Sequence, residues 1–221
     1  MNSANMTEAT LEAACTQAEL TPDDLDHADW ERAQAVPLTR YWSGDEAARA
    51  RHAEARLLWS NAALHARFVC CQAEPLIVSA APQFDRKTLG LWERDVCELF
   101  IAPDAAKPEH YFEFEVAPTG EWLDLAVALA PNGTRATDWE FRSGMTAAAR
   151  VEGKQLTLGL RVPWAAFALD APPRVGAMWR ANLYRCVGAG AARGYLAWRP
   201  TLTPQPNFHV PARFGWLCFV R

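Results

Sequence analysis

The sequence predicts an all-β protein: an antiparallel jelly-roll β-sandwich with one short helical turn. Two observations carry this expectation. Some eleven or twelve short runs, apolar or strictly alternating, are separated by turns rich in Gly, Pro and Asn, with almost no helical periodicity between them. Ten tryptophans in 221 residues are heavy usage of a large flat side chain that accumulates in sandwich cores or where flat ligands stack.

Half of the residues are apolar, enough for one full core and one large domain. Residues 1–25 are polar and Ala-rich, with an acidic TPDDLD segment, and read as a poorly ordered leader; the folded domain is expected over 26–221. A net charge of -4 with both signs scattered gives no basic stripe, which argues against a nucleic-acid partner. The first twenty residues lack the basic start and apolar core of a secretory signal, and no run is long enough to span a bilayer. The sequence as it stands therefore reads as cytoplasmic with no membrane partner, or as periplasmic or extracellular if a signal is missing from it. The six cysteines show no CxxC spacing and several lie in apolar runs, as free buried thiols do.

In order, an edge strand is expected near 37–42, and 44–55 has helical propensity between strand-like runs. Residues 57–59 and 64–71 form a hairpin, with Leu64, Ala66, Phe68 and Cys70 alternating against the other face. A short strand is expected at 76–79. The central strand, Val96 to Ile101, is apolar on both faces yet holds Glu98, with Asp95 just before it. In 111–116, Phe112, Phe114 and Val116 face a core while Tyr111, Glu113 and Glu115 face water, and 121–128 returns as its partner. A polar loop follows at 131–138, then strands at 139–151 and 155–162. Pro163 opens a helical turn ended by Pro172 and Pro173. Strands at 179–186, 195–198 and 214–220 complete the fold, with an irregular loop at 201–211.

Chemistry concentrates around the central strand. Burying an unpaired carboxylate costs several kcal/mol, roughly, so Asp95 and Glu98 need donors, a charged partner, a metal or a wet cleft. Strand parity puts Glu98 on the side of Trp92 and Arg94, a floor suited to a polar ligand, although an arginine pairing structurally with Glu98 would satisfy the same residues. Late in the chain Asn182, Tyr184, Arg185, Tyr195 and Trp198 supply a similar mixture. An indole face suits the C–H face of a pyranose, and charged or amide groups suit its hydroxyl rim. The five histidines are too dispersed for a metal motif, and no GxSxG or DxDxDG is present. Paired carboxylates for glycoside hydrolysis could be drawn from Asp95, Glu98, Glu113, Glu115 and Asp124, but such residues on alternating strands usually face solvent.

The runs WERDVCELFI (92–101), YFEFEVAPTGEWLD (111–124), VPW (162–164), WRANLYR (179–185), YLAW (195–198) and NFHVPARFG (207–215) together resemble the family 9 carbohydrate-binding modules and their DOMON-like relatives, over roughly residues 26–221. The resemblance implies a non-catalytic jelly-roll domain that grips a mono- or oligosaccharide between two tryptophans, in the best-known members the reducing end of a glucan or xylan chain. The family pattern W-x-x-D-x-x-E falls on Trp92, Asp95 and Glu98; the second wall falls on Trp198, and Asn182 matches an asparagine of the late strand. Two departures stand out: an arginine that sugar-binding members supply from the strand after the central one is absent from YFEFEV, and Tyr195 stands where an asparagine is expected. The resemblance also implies structural calcium, without assigning its ligands. Two alternatives remain open. One is a heme-binding DOMON-like module using Met145, Met178 or His209, and the other is a sugar-active hydrolase.

Overall fold

The computed structural model describes residues 9–221. Its strands are β1 Thr10–Cys15, β2 Val36–Leu38, β3 Arg40–Tyr41, β4 Ala53–Trp59, β5 Ala63–Cys71, β6 Val96–Ala102 and β7 His110–Val116. They continue as β8 Trp122–Leu129, β9 Arg135–Asp138, β10 Thr146–Glu152, β11 Gln155–Pro163, β12 Met178–Val187, β13 Gly194–Ala197 and β14 Gly215–Val220. One hydrogen-bonded path joins them in the order β10-β11-β5-β4-β1-β14-β12-β6-β7-β8-β9, with β2 on β4, and β13 bridging β12 and β3. The two ends of this path fold over each other, and their facing sides form one core. Ala66, Phe68 and Leu158 from one half share it with Leu99, Phe114 and Leu183 from the other, and the thiols of Cys70 and Cys97 meet across it at 3.5 Å.

The all-β expectation holds, and the helices are single 3-10 turns, including the expected one at Trp164–Phe167. The sheet is mixed rather than wholly antiparallel, because β1 runs parallel to both β14 and β4. That strand corrects the reading of residues 9–25 as a loose leader. Leu11 and Ala13 are fully buried and β1 bridges the two halves of the sheet; residues 1–8 lie outside the described residues. After β1 the chain crosses β11 so closely that a Cβ on Gly159 would stand 2.2 Å from the Pro22 carbonyl oxygen.

Four local expectations change. The helical propensity of 44–55 yields only a turn at Arg49–Arg51 before β4 begins. Residues 76–79 form no strand; Ile77 instead exchanges hydrogen bonds with Asp95. The polar loop at 131–138 contains β9, an edge strand on β8, and the stretch 139–144 is irregular, so that β10 starts only at Thr146. Glu113 and Glu115 do not face water. The second face of β6, β7, β8 and β12 is covered by its own apolar cluster, including Phe100, Tyr111, Leu125, Tyr184 and Phe208, and both carboxyls are buried within it.

Candidate functional site

The floor of the site is set by strand register. Glu98 on β6 lies directly opposite Glu115 on β7, and Phe100 opposite Glu113; period-two alternation sends all four side chains to the same face, away from the main core. Above them opens a cavity of about 500 Å³. Its walls are aromatic: Trp92 and Trp139 on one side and Tyr195 and Phe208 on another, with Arg135, Arg193, Cys186 and His209 around them.

Trp92 sits on a 3-10 turn, Leu91–Glu93, entered through Gly90 at a φ of 76°, a conformation that glycine adopts without strain. Arg193 fixes this turn. Its guanidinium donates to the carbonyls of Trp92 at 2.6 Å, Arg94 at 2.8 Å and Gly188 at 2.8 Å while lying over the Tyr195 ring. Trp92 and Trp139 have ring centroids 6.2 Å apart at 43°. A flat ring held between two aromatic faces needs roughly 7 to 8 Å, twice the carbon contact distance. These two indoles therefore make one continuous wall, not a clamp.

Three carboxyls meet at the floor. One oxygen from each of Glu98, Glu113 and Glu115 lies within 4.8 Å of the others, and all three residues are buried. Burial, with Glu113 nearby, pushes the Glu98 carboxyl up to about 8. Burial likewise raises Glu113, and raises Glu115 well above the usual carboxylate range with Glu98 and Glu113 adding repulsion. The Cys186 thiol donates to Glu98 at 3.3 Å. By contrast Glu113 Oε2 and both Glu115 oxygens take no hydrogen bond from a fixed donor; the Glu113 and Glu115 carboxyls interact with each other, which holds Glu113 down and pushes Glu115 up. His209, closing the rim, is hydrogen-bonded to the Tyr111 hydroxyl at 2.6 Å and is held neutral by burial, which lowers it to about 3.

Calcium, implied by the resemblance, does not fit this group. A calcium ion takes about six to eight oxygens. The three carboxyls sit in mid-strand, where main-chain carbonyls are committed to the β6–β7 and β6–β12 ladders, so no backbone oxygen completes a calcium shell around them.

Of the binding residues expected from the resemblance and the strand pattern, Trp92, Glu98 and Tyr195 come together in the cavity lining, joined by Glu113 and His209, which the sequence offers for the hydrolase and heme alternatives. The others do not join them. Arg94 does not follow Trp92 along a strand, because the 3-10 turn breaks the parity, and it points toward Glu121 at 3.9 Å. Asp95 is a buried structural acceptor, taking hydrogen bonds from Gly188 N at 2.8 Å, Ile77 N at 3.2 Å and Gln72 Nε2 at 3.3 Å. Asn182 is fully buried and ties Arg199 and the Tyr184 hydroxyl. Arg185 projects to the opposite face of β12, where it donates to the carbonyls of Arg51 and His52 and to Gln72. Trp198 corrects the expected second wall: its indole packs against the main core and its six-membered ring abuts Gly215, so it lines no part of the cavity. Met145 is buried in the main core and Met178 is surface-exposed, so neither pairs with His209.

Sequence reasoning missed Trp139, Arg135, Arg193 and Phe208, and offered His209 only as a heme ligand. An exposed tryptophan in a polar stretch was a usable signal for the first; the others reach the cavity only through the packing of loops that carry no pattern of their own.

Comparison with solved structures finds the same fold in the following three. A candidate carbohydrate-binding protein from Bacteroides uniformis ATCC 8492 superposes with a TM-score of 0.75 at 19% identity, covering 96% of this chain and 100% of that one. A family 9 carbohydrate-binding module from Caldicellulosiruptor kristjanssonii in complex with cellotriose gives 0.66 at 13% identity over 96% and 94% of the two chains. A module from the same organism in complex with glucose gives 0.63 at 14% over 95% and 96%. No curated protein sequence matches the chain. Residues 24–221 match the family described as carbohydrate family 9 binding domain-like, and the chain belongs to that family.

Proposed function

We propose that the cavity between Trp92 and Phe208 binds a mono- or oligosaccharide without transforming it. The observation that carries this reading is the coincidence, in a member of a carbohydrate-binding domain family, of an indole wall and a buried carboxyl floor in one open cavity. A sugar stacks one face on Trp92 and Trp139, and its hydroxyls reach Glu98 and Glu113. The solved relatives with cellotriose and glucose bound support the ligand class. Non-catalytic binding is favoured by the placement of the carboxyls. They lie side by side on adjacent strands of one floor, whereas hydrolysis needs two carboxyls flanking the scissile bond.

The test is a tryptophan-fluorescence titration with cellobiose, xylobiose and their reduced alditols. Saturable binding is expected, weakened about tenfold or more by Trp92→Ala, since losing a stacked aromatic costs about 1.4 kcal/mol or more. Loss of binding to the alditols adds recognition of a reducing end. Binding unchanged in Trp92→Ala refutes the placement of the site.

A further inference from the structure

We infer that the cavity selects a sugar carrying a primary ammonium group, seated on the carboxyls of Glu98 and Glu113 with Glu115 behind them. The inference rests on the carbohydrate reading above and narrows its ligand class. It starts from the chemistry of the floor. Sugar hydroxyls are neutral and both donate and accept, so a neutral sugar is served by any mixture of polar groups. The floor that meets the cavity is acidic: Glu98 and Glu113 line it, Glu115 lies behind them, and Glu113 Oε2 takes no hydrogen bond from a fixed donor.

Glu113 is the clearest sign. It is 3% exposed, it lines the cavity, and its Oε2 takes no hydrogen bond from a fixed donor, Glu115 being its carboxyl neighbour. An orphaned acceptor so deeply buried costs roughly 1 to 3 kcal/mol, more if charged, until a donor arrives. Among the described residues no ion pair reaches Glu98, Glu113 or Glu115. Arg193 is committed to three backbone carbonyls; Arg135 enters from the edge strand β9, and both act on the cluster only from a distance. His209 is neutral. Arg135 and Arg193 line the cavity without pairing with these carboxyls, so a cationic ligand would supply the paired charge that lets them ionise.

An ammonium group matches what is on offer. It carries three N–H donors and one charge, against carboxyl oxygens that converge from adjacent strands without backbone carbonyls to complete a calcium shell. The aromatic lining of Trp92, Trp139, Tyr195 and Phe208 adds to the selection, because the face of an aromatic ring is negative and attracts a cation. A bare metal ion would leave that aromatic lining without a role.

The experiment titrates the full chain with D-glucosamine, D-glucose and N-acetyl-D-glucosamine at neutral pH, with cellobiose as a larger neutral sugar and calcium chloride alone. Charge-assisted hydrogen bonds are about twice as strong as neutral ones, so glucosamine is expected to bind about tenfold or more tighter than glucose and N-acetylglucosamine. Glu113→Gln, with its fold checked by its melting transition, is expected to bring that ratio toward one. Glucose binding as tightly as glucosamine overturns the inference and leaves the carbohydrate reading intact. Calcium alone binding and competing with glucosamine also overturns it. If neither cellobiose nor any of the three monosaccharides binds, the carbohydrate reading itself fails.

Discussion

Replacing Glu98 by glutamine tests whether the buried floor costs the fold stability in a pH-dependent way. Burial beside Glu113 raises the Glu98 carboxyl from 4.5 to about 8. Between those values the folded chain keeps a proton that the unfolded chain has released. The unfolded state then binds fewer protons, so stability is full below about pH 4.5 and falls as pH rises toward 8. At about 1.4 kcal/mol per pH unit, that gap sets a ceiling of about 5 kcal/mol. Because three neighbouring carboxyls titrate together, the expected effect of removing one is smaller, about 2 kcal/mol. The glutamine carbonyl would still accept from the Cys186 thiol, which now donates to Glu98, so the substitution removes the ionisation and little else. The assay is urea unfolding of both proteins, without ligand, at about pH 5, 6.5 and 8. The Glu98→Gln variant is expected to match the parent near pH 5 and to exceed it by about 2 kcal/mol near pH 8. A difference that does not change with pH, or a variant weaker at pH 8, refutes the reasoning.

Four further outcomes are expected. Leu11→Ala should cost about 3 kcal/mol in urea unfolding, because Leu11 is fully buried in the main core; a loose leader would make the change neutral. Gly159→Ala should destabilise by about 2 kcal/mol or more, since the new methyl meets the Pro22 backbone rather than a side chain that can turn away; an unchanged melting temperature would contradict that close approach. Arg185→Ala should cost about 3 kcal/mol by stranding the Arg51 and His52 carbonyls and Gln72, while sugar affinity of the folded variant stays within about twofold. Burial and Arg161 lower His65 from 6.5 to about 4, so the folded state resists a proton that the unfolded state accepts; stability is full above about pH 6.5 and is lost as pH falls toward 4, and His65→Gln should flatten that acid slope in thermal melts.

The sandwich was legible wherever one strand alternates against one core. β5, β11 and β7 carry period-two patterns because each has a face turned to the same apolar layer, and local pattern then determines side-chain direction. It was illegible where pairing is non-local. β1 reads as a polar Ala-rich tail since TLEAAC offers few large side chains, and its place between β4 and β14 is decided by partners far along the chain. β9 was hidden for a related reason: an edge strand with exposed residues needs no apolar alternation.

The same division runs through the site. From the sequence alone, Trp92 and Glu98 stood out, because an indole and a carboxylate at the mouth of an apolar strand need an explanation whatever the fold. Asp95, Asn182 and Arg185 carried the same signal for a different reason. They are buried polar groups satisfied by backbone partners, and composition cannot tell a ligand's partner from a loop's. Only the tertiary structure turned Arg185 to the far side of β12, packed the half-buried Trp198 against the main core and brought Trp139 to Trp92. Register across β6 and β7 then placed three carboxyls on one floor, since a residue's neighbours across a sheet are set by pairing and not by its own stretch of sequence.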